Sequence, residues 1–268
     1  MKSNYKYNVS IIIISHNHEN YLVDCIDSIY QKTEDISFEI ILIDNLSKGI
    51  CASLIKNKYN NVILIENSEV KGFSENNNVG IIKSMGEYVL ILNPDTILKN
   101  NAIKILYNFM LKTSMVGVAG PKIFFPNDTL QFSSRKFPSF ISFIKRRTPI
   151  RGFFEENKRD AYHLMADWHH NSTCTVDWLL GACLMVKRKR IISIGMFDEK
   201  YKLYCEDIDL CFSFNQIGYN NYYVNEAEIY HYHQQESDKK FFSKRTWTHY
   251  KSMFHFFKKH KYWVYIFK

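Results

Sequence analysis

The first hundred residues alternate between short unbroken apolar runs and stretches whose apolar positions recur every three or four residues. Val9–Ser15, Phe38–Ile43, Val62–Ile65 and Tyr88–Leu92 are of the first kind, as expected of strands buried on both faces of a parallel sheet. Between them, Leu22, Cys25, Ile26 and Ile29 put one apolar face on a helix over Asn20–Gln31, and helices are also expected over Ala52–Tyr59 and Asn77–Met85. Strand and helix alternating in this way predict right-handed βαβ units. The fold class is therefore α/β, with a mostly parallel central sheet flanked by helices. In such sheets ligands bind outside the carboxyl ends of the strands. The polar residues at those ends are Ser15, His16 and Asn17, then Asp44, Asn45 and Ser47, then Asn93 and Asp95. They should meet along one edge.

Beyond residue 101 the pattern loosens. Ala102–Leu111 reads as a helix and Val116–Ala119 as a short strand stopped by Gly120-Pro121. Phe124 to about Thr175 has mixed polarity and a basic cluster, Lys145-Arg146-Arg147, and reads as a long excursion over the sheet that forms a lid or an acceptor wall. Asp177–Lys187 returns as one apolar strand. In the tail, Phe242, Thr246, Tyr250, Met253, Phe254 and Phe257 share a helical face, with lysines and Arg245 around it. Such a stripe either packs on the domain or lies on an anionic membrane; the expectation is that the first turns dock and the last aromatic residues reach lipid.

Composition narrows the partners. The 268 residues carry a formal net charge of +8, which points to an anionic partner. No recognised nucleic-acid module accompanies the basic tail, so nucleic acid is not expected. Six cysteines show no C-x-x-C spacing, which argues against a zinc ribbon or disulfide framework and for reduced thiols in the cytosol. The apolar core Val9–Ile14 is too short for a signal peptide, and no run approaches the ~18 residues of a membrane span. The expected location is cytoplasmic, with peripheral contact at the inner face of the membrane.

Two local features ask for chemistry. The Val89–Leu92 run ends on Asn93-Pro94-Asp95, and the proline stops the strand with an amide and a carboxylate at its carboxyl end. In isolation this is a turn; beside the other strand-end residues it is a candidate cation site. Glu206, Asp207 and Asp209 fall within one helical turn. Like charges so close raise one another's pKa, so the cluster is either an acidic helix start or a catalytic site.

The ordered set "SIIIISHN", "IILIDNLS", "GFSENNNVG", "ILNPDT", "WLLGACLMVKR", "FDEKYKLYCEDIDLC" and "YHYHQQES" resembles the inverting family 2 glycosyltransferases with a GT-A fold, in their rhamnosyltransferase-like branch. The resemblance implies a catalytic domain over residues 1–228, with a nucleotide-binding half to about 120 and an acceptor half from about 121. Residues 229–268 would form a C-terminal basic aromatic segment. It implies a donor sugar on dTDP or UDP and a glycan or lipid-linked oligosaccharide acceptor in surface polysaccharide synthesis. The favoured donor is dTDP-rhamnose; a UDP-hexose or UDP-N-acetylhexosamine transferase, or a non-catalytic sugar-nucleotide or membrane-binding subunit, are the alternatives.

By the same resemblance Mg²⁺ or Mn²⁺ would bind Asp95, with Asn93 through water or at the ribose and His231 (or His233) as a further ligand. Ser15, Asn17, Asp44, Asn45, Gly72, Asn77 and Asn78 would line the nucleotide site, and Trp178 and Gly181 the wall near the donor sugar. Asp207 would be the general base and Glu206 would orient the acceptor, with Asp209 structural. One departure stands out: Ser213 occupies a position where the family often has arginine.

Overall fold

In a computed structural model of the chain the described residues are 5–48, 51–138, 162–232 and 244–261, with backbone alone at 51–53 and 244–246. The apolar runs become β1 (Tyr7–Ser15), β2 (Phe38–Asp44), β3 (Val62–Glu66) and β4 (Gly86–Leu92), joined by α1 (Glu19–Lys32), α2 (Cys51–Lys58) and α3 (Phe73–Lys83). These four strands pair in parallel in the order β3-β2-β1-β4. The runs are unbroken because each strand feeds two cores: Ile11, Ile13, Leu42 and Leu90 pack on one side, and Ile12, Ile41, Ile43 and Ile91 on the other. Alternate side chains of a strand point to opposite faces, so a doubly covered strand must be apolar throughout.

The second half of the sheet is mixed. It comprises β5 (Thr96–Leu98), β6 (Val116–Phe124), β7 (Leu130–Gln131), β9 (Cys174–Val176), β11 (Cys183–Lys187) and β12 (Asn220–His231), while β8 (Ser134–Arg135) and β10 (Trp178–Leu179) form a separate two-stranded ribbon. The strand β11 runs antiparallel between β4 and β6, and β12 lies parallel to β6 and antiparallel to β5. The helices here are α4 (Ala102–Lys112), α5 (Arg188–Ser193), α6 (Glu206–Gln216) and α7 (Lys244–His260).

Several boundaries move for physical reasons. Helix α3 starts at Phe73, not Asn77, because the extended Gly72 caps it and Glu75 falls in its first turn. Strand β6 runs on through Gly120-Pro121 to Phe124; Pro121 sits opposite Val224, where the β6–β12 register shifts, and that irregularity accommodates the missing N–H. The single strand expected over Asp177–Lys187 is interrupted at Leu180-Gly181-Ala182, between β10 and β11. Helix α7 packs on the domain through Met253, Phe256 and Phe257, each 3% exposed or less. Phe254, expected on that face, is 58% exposed and Phe256 takes its place. Phe242 and Lys145-Arg146-Arg147 lie outside the described residues. Among those described, no helix is long and apolar enough to cross a membrane.

Candidate active site

A cleft of about 660 Å³ opens at the carboxyl ends of β1, β2 and β4. Its lining combines His16, His18, Asn45, Lys71 and Asn76 from the first half of the chain with Asn93, Pro94, Asp95 and His231 from the ends of β4 and β12. Trp178, Gly181, Glu206 and Asp207 line it too, as do Arg135, His163, Lys202 and Tyr204, and His249 and Met253 of α7. Asp95 and Asp207, 112 positions apart in the numbering, thus open onto one hollow.

Proline 94 ends β4, and the backbone N–H of Asn93 donates to Ala182 O at 2.9 Å while that of Tyr232 donates to Asp95 O at 2.8 Å. These bonds fix Asp95 beside the end of β12. His231 Nε2 lies 3.4 Å from Asp95 Oδ1, and its Nδ1–H donates to Gln131 Oε1 at 2.9 Å. With Nδ1–H committed to Gln131, Nε2 is aimed at the carboxylate. An oriented imidazole beside an oxygen ligand is the arrangement a divalent cation needs, and the partner on the far nitrogen fixes it. Burial opposes ionisation of Asp95, but the hydrogen bond and charge of His231 outweigh it and hold the carboxyl below its ordinary value. Among the described residues no three His, Cys, Asp or Glu side chains gather around one point. His233 lies outside the described residues.

The acid turn is built on strained backbone. Tyr204 and Cys205 both have positive φ, 69° and 70°, which turns the chain sharply into α6. Asp207 accepts the N–H of Gly181 at 3.1 Å and of Ile208 at 2.9 Å. Burial raises its pKa, and those N–H groups and the charge of Arg135 counter the rise. Glu206 is 8% exposed, and its Oε2 has no hydrogen-bond partner. Burial first, then the neighbouring Asp207 charge, push it up to about 8. Burial thus pushes both carboxyls above their ordinary range, and Glu206 also feels the neighbouring charge. Asp209 faces the other way: Tyr201 Oη, Lys259 Nζ and His260 Nε2 lie 3.1, 2.7 and 2.7 Å from its carboxylate. The basic side chains that answer it, Lys259 and His260, come from α7.

The structure sorts the expected nucleotide residues into two groups. Asn45 lines the cleft, its side chain bonded to both the N–H and the carbonyl of Lys71. Ser15, Asn17, Asp44, Gly72, Asn77 and Asn78 do not line it. Asp44 accepts the N–H of Ser47, while Asn17 accepts the N–H of Lys48 and donates its own to Ser47 Oγ, so the two loops are knitted together. Asn77 Nδ2 donates back to Phe73 O, and Asn78 holds both the N–H and the C=O of Phe197. These two amides brace the scaffold because the helix begins four residues earlier than the pattern suggested; Asn76 is the one on the cleft. Gly72 lets Lys202 approach, since a Cβ there would sit 3.3 Å from the Lys202 side chain. Trp178 is buried, donates Nε1–H to Lys136 O at 3.0 Å and still borders the cleft; Gly181 holds Asp207.

Other cleft residues were missed. Arg135, His163 and Lys202 sit in segments without periodic signal, His249 and Met253 belong to a tail helix whose periodicity spoke only for docking or lipid, and Gln131 reaches the site only through His231. His16, expected at the strand-end edge, and His18 both line the cleft.

Comparison with known proteins agrees with this geometry. The sequence matches the family described as "Glycosyl transferase family 2" over residues 10–180. Rhamnosyltransferase WbbL of Escherichia coli K12 is 28% identical over 269 residues, covering 92% of each chain. An N-acetylglucosaminyl-diphospho-decaprenol L-rhamnosyltransferase of Mycobacterium tuberculosis (strain CDC 1551) is 31% identical over 147 residues, 54% of this chain and 47% of that protein. Among solved structures, GalNAc-T7 with UDP, GalNAc and Mn²⁺ superposes with a TM-score of 0.70 at 16% identity, covering 96% of this chain and half of that one. The mannosyltransferase PcManGT of Pyrobaculum calidifontis with GDP-Man and Mn²⁺ gives 0.59 at 17% identity, covering 87% and 59%. At these identities the structural likeness speaks to the fold alone, which is GT-A.

Proposed function

We propose that this chain, which belongs to glycosyl transferase family 2 and is a glycosyltransferase, moves rhamnose from dTDP-rhamnose to a glycan or lipid-linked oligosaccharide with inversion at the anomeric carbon. The observation that carries the reading is the shared cleft: the Asp95–His231 pair and Asp207 both open onto it. Rhamnose is favoured by the two rhamnosyltransferases to which the chain is similar. Residues to about 120 would hold the donor and those from about 121 to 228 the acceptor. The proposed setting is surface polysaccharide synthesis in the cytoplasm, at the inner face of the membrane.

Asp207 is the general base. As the acceptor oxygen forms its bond to the anomeric carbon, the acceptor O–H proton passes to the Asp207 carboxylate and the bond to the diphosphate breaks. The nucleoside diphosphate departs with that electron pair. The N–H groups of Gly181 and Ile208 favour the ionised carboxylate and aim it from a fixed position. Glu206, protonated, is a donor able to orient an acceptor or donor hydroxyl. Arg135, Lys71 and Lys202 supply positive charge along the cleft for the departing diphosphate. Asp95 and His231, with Asn93 directly or through water, would hold Mg²⁺ or Mn²⁺, which when bound offsets the charge on the diphosphate. Asp44, Ser15 and Asn17 lie at the neighbouring strand ends, where the base and ribose are expected. A transfer assay over dTDP-rhamnose, UDP-hexoses and UDP-N-acetylhexosamines, with each ion and with chelator, tests the reading. Transfer from dTDP-rhamnose that vanishes with chelator is expected; ion-independent transfer, or transfer from UDP-sugars alone, would refute it.

A further inference from the structure

Helix α7 has two working faces. Met253, Phe256 and Phe257 are buried against the domain, and the basic side chains on that side meet carboxylates: His255 and Lys259 reach Asp198, and Lys259 and His260 reach Asp209, at 2.7–3.1 Å. The opposite stripe is Trp247, Lys251, Phe254 and Lys258, spaced three and four residues apart and therefore on one side. All four are exposed, Trp247 and Phe254 by 58% each. Aromatic rings and ammonium groups share this stripe, and no carboxylate occurs anywhere between residues 244 and 261.

We propose that this outer face is a docking surface for a bilayer containing acidic phospholipid. The chemistry fits that occupant better than a second copy of the chain, because two such stripes would bring lysine against lysine. Lipid phosphates answer the ammonium groups, while the indole and phenyl rings enter the headgroup boundary. The same helix borders the cleft through His249 and Met253, and Ser252 Oγ donates at 3.0 Å to the carbonyl of Leu203, a cleft residue 38% exposed. Docking along α7 brings that side of the cleft near the membrane, where a sugar on a lipid carrier is presented. This last link rests on the proposed function; the surface itself does not.

The test is sedimentation of the full chain with phosphatidylcholine vesicles, with and without phosphatidylglycerol, for wild type, Trp247→Ala/Phe254→Ala and Lys251→Glu/Lys258→Glu. The expected result is salt-sensitive binding to the anionic vesicles alone, weakened about tenfold or more in each variant with thermal stability unchanged. Variants that bind as wild type does, equal binding to neutral vesicles, or a self-association that the substitutions abolish would overturn the proposal. Transfer to a water-soluble acceptor, run in parallel, separates the two ideas. A chain that transfers but ignores vesicles loses the surface and keeps the function; one that binds vesicles but never transfers keeps the surface and loses the function.

Discussion

Glutamate 206 makes a quantitative prediction. Its carboxyl is buried, one oxygen has no hydrogen-bond partner, and its pKa stands at about 8. An unfolded glutamate ionises near 4.3. Between those values the folded chain keeps a proton that the unfolded chain has released, so stability must fall as pH rises through the window. Each tenfold change in proton activity across it is worth about 1.4 kcal/mol, which makes the full loss on the order of 4 kcal/mol by pH 8. Glutamine has nearly the same shape and cannot ionise, so Glu206→Gln escapes the loss. For a chain of this size about 1 kcal/mol corresponds to about 2 °C. Wild type and variant should therefore melt together near pH 4 and separate to about 8 °C near pH 8, the variant being the more stable. Thermal melts followed by circular dichroism across that range, without donor, measure the gap. A gap that stays constant with pH would show that Glu206 is ionised throughout, and the division of labour with Asp207 would fail.

Other expectations follow from the same geometry. Asp207→Asn should lower transfer by roughly 10²- to 10⁴-fold while nucleotide binding, followed by calorimetry, stays intact. Replacing Gln131 by Leu frees His231 Nδ1 and should weaken Mn²⁺ binding by about 10- to 100-fold in an electron paramagnetic resonance titration. Phe257→Ala empties a fully buried site and should cost about 3–5 kcal/mol in urea unfolding.

The parallel half of the fold was legible because doubly covered strands and amphipathic helices leave opposite periodicities in the chain. The acid turn was legible because three carboxylates in one helical turn are electrostatically costly. What periodicity could not show was pairing across long loops. Gln131 and Arg135 lie on two-residue strands, too short to carry a pattern, and their places depend on β6 and β10. The asparagines of α3 misled for a different reason: amides serve helix starts and interior bonds equally well, and only the cap at Gly72 decides between them. In α7, Phe254 and Phe256 are equally apolar, so the sequence leaves the register open and packing decides it.

Three acids in one turn can be tolerated only if their surroundings differ, and here they do. Asp209 is turned toward Lys259, His260 and Tyr201, so its charge is answered within the fold. Asp207 receives two backbone N–H groups, which hold its carboxylate at the cleft. Glu206 receives neither treatment and holds a proton. Such a separation needs a rigid turn, yet Tyr204 and Cys205 hold positive φ, a conformation costing about 1–3 kcal/mol at each non-glycine position. The strain persists because other elements fix the approach to the turn. Asn78 of α3 holds the backbone of Phe197 at both polar atoms, and His255 and Lys259 of α7 hold Asp198. Helices far apart in sequence thus set where Asp207 stands at the cleft, so α7 belongs to the site's construction as well as to its outer surface.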